Sequence, residues 1–186
     1  PHTAPRGAFY QSSLGPHPAT PCEAVRSIEV RLARAPDGGL DLAYTVDGDL
    51  GLVRWPQPAS PDRTDGLWRH TCFEAFLAPE PGSAYLELNF SPSGAWACYG
   101  FDRYREGMRA IDDVAPAIVL PPNGPADSGG RPWTLRAAVR LQGVARARVA
   151  LAAVIEESGG RLSYWALSHP PGRPDFHHPD GFALRI

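Results

Sequence analysis

The stretch from Leu67 to Met108, LWRHTCFEAFLAPEPGSAYLELNFSPSGAWACYGFDRYREGM, decides the fold. Its apolar residues recur with a period of two, the signature of half-buried strands. Three strands are predicted, over 68–78, 84–91 and 95–103. Pro92-Ser93-Gly94 supplies the tight turn between the last two, with proline presetting φ and glycine free to take a positive one. In Tyr85 to Phe90, Leu86, Leu88 and Phe90 point one way, and Tyr85, Glu87 and Asn89 the other. The same parity gathers Trp68, His70, Cys72, Glu74 and Phe76 on one face of the preceding strand. An outward antiparallel face is ordinarily just solvated. Aromatics set among carboxylates, an amide and an imidazole make a face that can also grip a polar ligand.

The rest of the chain keeps the same short rhythm. Its 21 prolines and 19 glycines are spread throughout and punctuate it into brief runs. Segments 24–35 and 40–46 read as strands joined by the hairpin turn Pro36-Asp37-Gly38-Gly39. Further strands are predicted at 51–55, 113–120, 133–141, 147–155 and 162–167, with a last short one at the C-terminus and one helical turn over 102–110. Residues 1–21 are expected to be an irregular arm, and residues 22–186 a single domain. About ten strands without a linker predict an all-β fold, a two-sheet antiparallel β-sandwich of jelly-roll type.

Composition narrows the function. A chain of 186 residues with 43% hydrophobic and 20% charged content is long enough for one real core. A net charge of −2 gives no electrostatic reason to expect nucleic acid or an anionic membrane. No apolar run reaches the roughly 18 residues that a spanning helix needs. All 18 basic residues are arginine, so a Schiff-base lysine and a phosphate-loop lysine are both excluded. The three cysteines, Cys22, Cys72 and Cys98, form no Cys-x-x-Cys pair, and two of them lie in strand patterns. Together with an N-terminus that lacks a signal-peptide pattern, they predict unpaired thiols and a cytoplasmic setting.

The common catalytic strings are missing: Gly-x-Ser-x-Gly, Gly-x-Gly-x-x-Gly, a phosphate loop and His-Glu-x-x-His. Glu74 and Glu87 sit on consecutive strands and could form an acid/base pair of the kind used in sugar hydrolysis. The ordinary reading of such a pair is that the two are solvated or hydrogen-bond a ligand without chemistry. The tail carries His169, Arg173, Asp175, His177 and His178 in a proline-broken run that fits no zinc spacing. It reads as a recognition loop or as a loop ordered by local hydrogen bonds. Trp133 belongs to an apolar strand face, whereas Trp68 and Trp165 have polar neighbours. An indole face can cover a sugar ring while carboxylates and amides take its hydroxyls.

Several strings together resemble a known family. They are Trp68-Arg69-His70-Thr71-Cys72-Phe73-Glu74, then Tyr85-x-Glu87-x-Asn89-x-Ser91-Pro92-Ser93-Gly94-x-Trp96, then Tyr104-Arg105-x-Gly107-Met108. The tail adds Tyr164-Trp165-Ala166-Leu167-x-His169-Pro170 and Pro174-Asp175-Phe176-His177. This set resembles the bacterial DOMON-like domain proteins, which are similar to family 9 carbohydrate-binding modules. The resemblance spans roughly residues 20–186 and implies a β-sandwich with a ligand on one sheet and its loops. Relatives in the wider superfamily bind sugars or haem, the latter through a methionine with a histidine or lysine.

The reading that joins these observations is a non-enzymatic domain that binds a small molecule, a saccharide or glycoconjugate. No cofactor is predicted. The expected ligand face comprises Trp68, His70, Glu74, Glu87, Asn89, Trp165, His169, Arg173, Asp175 and His177. The alternatives are a haem or redox module using Met108 with His169 or His177, and a hydrolase using Glu74 and Glu87.

Overall fold

The computed structural model describes residues 9–141, 144 and 146–186. They form 12 strands and a few 3-10 turns. The strands are β1 Phe9–Pro16, β2 Val25–Arg34, β3 Leu40–Gly48, β4 Cys72–Pro79, β5 Tyr85–Phe90 and β6 Trp96–Phe101. They continue as β7 Arg109–Ala110, β8 Ala117–Val119, β9 Trp133–Val139, β10 Ala147–Glu156, β11 Leu162–Ala166 and β12 Leu184–Arg185. Every ladder between them is antiparallel.

Alternation makes most of these strands. In β9, Trp133, Leu135, Ala137 and Val139 are buried while Arg136 is exposed. β10 is the exception, and its nearly continuous apolar run has a clear cause: both of its faces are covered. Val149, Leu151, Ala153 and Ile155 enter the main core, whereas Ala150 and Ala152 pack beneath a second cluster on the other side.

Hydrogen bonding runs without a break in the order β7-β6-β5-β4-β10-β11-β1-β2-β3-β9-β8, with β12 also on β10. The two separate sheets expected from sequence are therefore joined. β1 is the join: Phe9 to Leu14 pair with β2, and Gly15 and Pro16 pair with β11. The sheet curls so that its halves pack on each other. The Tyr44 ring of β3 packs tilted against Phe73 of β4 with centroids 5.0 Å apart, and its hydroxyl donates to the Glu74 carbonyl at 2.7 Å. Phe73 in turn lies 6.5 Å from Trp133 of β9.

Some local expectations change. Residues 9–16 are strand rather than irregular arm, and residues 1–8 lie outside the described part. Only Leu14 of β1 is buried, so the segment has no apolar alternation to announce it. Segment 51–55 gives a 3-10 turn at Leu50–Leu52 and one isolated bridge at Val53 in place of a strand. Segment 102–110 is a tight loop ending in β7, not a helical turn. No helix among the described residues is long and apolar enough to cross a membrane.

Candidate functional site

The outer face of β6, β5, β4, β10 and β11 is where the fold departs from a solvated sheet surface. Register decides what stands there. Glu74 lies opposite Asn89, and Phe76 opposite Glu87, so Glu74, Glu87 and Asn89 do share one face. Glu74 and Glu87 are diagonal neighbours, positions whose Cα atoms stand about 7–8 Å apart. The face is roofed by the loop after β6 and by the tail that follows β11. Phe76, Tyr85 and Phe101 pack there against Phe176, His177 and Phe182.

Between sheet and roof lies a cleft with two compartments. The inner one, of about 350 Å³, has Glu74 and Glu87 together with Trp68, Phe101, Met108, Val154, Phe176 and His177. The outer one, of about 770 Å³, is lined by Tyr104, Arg173, Asp175, His178 and a run of tail prolines. Arg105, Tyr164 and Pro174 border both, so the two compartments adjoin.

Asp175 fastens the roof. Its carboxylate accepts from Arg105 Nη2 at 2.7 Å, from the Tyr104 hydroxyl, and from the His177 backbone N–H at 3.0 Å. Burial alone would raise its pKa, but the Tyr104 and Arg105 hydrogen bonds hold it below the ordinary value. Arg105 is presented by an unusual backbone, with φ of +55°, a left-handed conformation that costs a non-glycine residue energy. Two residues on, Gly107 has φ of +68°, and a Cβ there would sit 2.1 Å from Asp102 Oδ2. Only glycine fits that turn.

His177 is locked from both sides. The Tyr85 hydroxyl accepts the Arg105 backbone N–H at 3.2 Å and lies 2.8 Å from His177 Nδ1. Where the hydroxyl donates its own hydrogen to Nδ1, the ring proton sits on Nε2. That nitrogen faces Glu87 Oε2 at 3.6 Å. Burial, aided by the Arg105 charge, pulls the His177 pKa down to about 4, so the ring is neutral near pH 7.

The carboxylate pair is the most unusual feature. Asn89 Nδ2 donates to Glu87 Oε1 at 2.9 Å. Burial raises the Glu87 pKa, while that hydrogen bond and the Arg105 charge draw it partly back. Glu74 is 2% exposed, and its Oε1 has no hydrogen-bond partner among the described residues. Burial first, and then the neighbouring Glu87 carboxylate, push its pKa well up. Two buried carboxyl groups side by side favour retention of a proton at Glu74.

Of the ten residues expected from sequence, four line the inner compartment: Trp68, Glu74, Glu87 and His177. Arg173 and Asp175 line the outer one. Asn89 lies behind the cleft and positions Glu87. The other three are elsewhere. His70 caps a cluster beyond the end of β4, with Nδ1 2.7 Å from Glu156 Oε2. His169 Nε2 donates to the Gly15 carbonyl at 2.8 Å and so ties the tail to β1. Trp165 is 2% exposed and belongs to the main core, its indole donating to Ser163. It is Tyr164, one residue earlier, that reaches the cleft. Trp68 reaches the cleft from a 3-10 turn, Leu67–Arg69, not from a strand. Sequence reasoning left out Arg105, Tyr104 and Tyr164 as site residues, although all three stand in the strings Tyr104-Arg105-x-Gly107-Met108 and Tyr164-Trp165-Ala166-Leu167-x-His169-Pro170.

The described residues contain no cluster of three or more His, Cys, Asp or Glu arranged to hold a metal ion. The three cysteines are free thiols. Haem fits poorly. Met108 and His177 border one compartment, but the His177 nitrogens already face Tyr85 and Glu87, and His169 lies outside the cleft.

No family model matches the chain, and no curated protein matches it. A solved structure from Bacteroides uniformis, a "putative carbohydrate-binding protein", shares the fold. Its TM-score is 0.65 at 16% identity, over 94% of this chain and 83% of that one. The class defined by fold and site is thus an all-β, antiparallel protein with a roofed polar cleft on one sheet face.

Proposed function

We propose that this chain is a non-enzymatic saccharide-binding domain, DOMON-like and similar to family 9 carbohydrate-binding modules. The observation that carries the reading is the build of the inner compartment: a floor of two carboxyl groups, Glu74 and Glu87, beside the rings of Trp68, Tyr164 and Phe176. Such a floor takes hydroxyls as donors, and aromatic walls take the C–H face of a pyranose. The Bacteroides uniformis structure supports the reading through its fold. The free thiols fit a reducing, cytoplasmic setting.

Calorimetric titration of a panel of monosaccharides and disaccharides tests this. Wild type should bind at least one member, and Tyr164→Ala should weaken that binding several-fold with an unchanged melting temperature. Folded wild type that binds no saccharide overturns the reading.

A further inference from the structure

The charges around the cleft do not balance. Arg105 is the cation nearest the carboxylates, and its guanidinium is spent on Asp175 at 2.7 Å. His177, the other basic group beside Glu87, is neutral. Glu87 has an amide hydrogen bond from Asn89 and no cation within ion-pair distance among the described residues. Glu74 has less: its buried Oε1 meets no donor among the described residues, although the residue borders the cleft. A buried carboxyl oxygen without a donor costs free energy unless something supplies one. The other groups facing Glu74 do not help. Cys72 turns its thiol toward Asn89 and Phe90, and the Tyr44 hydroxyl donates to the backbone carbonyl of Glu74, not to its side chain.

The walls add a second preference. Trp68, Tyr164 and Phe176 border the same space, and aromatic faces attract cations electrostatically. The Glu87 carboxylate beside the buried Glu74 carboxyl group, with rings around, makes the environment that a protonated amine prefers to a neutral hydroxyl.

We infer that the cleft selects a ligand carrying a protonated primary amine, which it seats on Glu74 and Glu87 between the aromatic rings. Combined with the saccharide reading, on which this inference rests for its substrate class, the ligand is an amino sugar with a free amine. The ammonium group brings donors and a positive charge to a carboxyl pair that has no cation of its own among the described residues. An N-acetylated sugar brings only a neutral amide N–H and a bulkier substituent, so it is discriminated against.

The test is calorimetric titration of wild type with glucosamine, N-acetylglucosamine, glucose and ethanolamine at about pH 6.5, where a primary amine of this kind is protonated. Glucosamine should bind about tenfold or more tightly than glucose and N-acetylglucosamine, the weight of one charge-assisted hydrogen bond. Glu74→Gln, checked by its thermal melt, should collapse that ratio toward unity, and Glu87→Gln serves as the second variant. Equal binding of glucose and glucosamine by wild type overturns the inference and leaves the saccharide reading standing. A preference that survives both variants overturns it as well. If no sugar binds, the saccharide reading falls, and ethanolamine decides the rest: its binding upholds the amine preference, and its failure to bind ends it.

Discussion

The Tyr85 hydroxyl lies 2.8 Å from His177 Nδ1, and this bond joins the sheet to its roof. Tyr85 stands in β5, His177 in the tail 92 residues later, and the same hydroxyl also accepts the backbone N–H of the strained Arg105. One oxygen thereby ties the ring to the loop and leaves Nε2 facing Glu87.

Tyr85→Phe should therefore cost more than an exposed hydroxyl would. It leaves His177 Nδ1 and the Arg105 N–H without their partner, an expected loss of about 1–3 kcal/mol. Chemical denaturation measures it, and hydrogen exchange should quicken at the amides of 104–106 and 175–178. A loss below a few tenths of a kcal/mol would show that the hydroxyl does not hold the roof.

His177 and Glu74 give opposite pH signatures. The His177 pKa is lowered from 6.5 to about 4, so the unfolded chain binds more protons in that interval and the histidine's contribution is lost as pH falls through it. The wild-type advantage over His177→Phe should accordingly shrink from pH 6.5 toward pH 4. The Glu74 pKa is raised above 4.5, so the folded chain holds the proton longer, and its contribution is greatest below 4.5 and lost as pH rises through the folded value. Glu74→Gln should gain on wild type as pH rises. Denaturation at a series of pH values checks both slopes, and parallel curves for wild type and variant would refute the assignment concerned.

The backbone at Arg105 separates conformation from side chain. Arg105→Ala and Arg105→Gly both lose the Asp175 ion pair, but only glycine adopts φ of +55° without penalty. The glycine variant should be more stable than the alanine variant by about 1 kcal/mol, read from their denaturation midpoints. The reverse order would show that the left-handed turn is not retained.

Much of the site was legible because strand parity is unforgiving. Glu74, Glu87 and Asn89 share a face as soon as β4 and β5 pair in register, and the alternation in each strand leaves one pairing that also buries Phe73, Leu88 and Phe90. Parity fails where both faces look alike. In β11, Ser163 and Trp165 alternate with Leu162, Tyr164 and Ala166, and neither set is clearly the apolar one, so the pattern does not say which way the tryptophan points. The N-terminal end of β4 was misplaced for a reason outside its own sequence. Beyond Cys72, the Glu156 carbonyl is taken by the Arg54 N–H, and the Glu156 N–H by the Thr71 hydroxyl. That stops the ladder and leaves Trp68 on a turn. Arg105 and the tail reach the cleft through loop conformation and long-range hydrogen bonds, which carry no periodicity.

The two tryptophans give a paired test of that correction. Trp165→Phe should cost about 1–3 kcal/mol of stability from the core and leave ligand affinity unchanged. Trp68, 44% exposed, should behave in the opposite way: Trp68→Ala weakens binding and barely moves the melting temperature. Loss of affinity in Trp165→Phe alone would return that residue to the rim.

The most direct measurement is a crystal structure of the protein grown with the tightest-binding saccharide of the panel. The account predicts the sugar in the inner compartment, with Glu74 or Glu87 within hydrogen-bond distance and its ring face against Trp68 or Tyr164. A sugar bound elsewhere on the molecule, with this compartment empty, would contradict it.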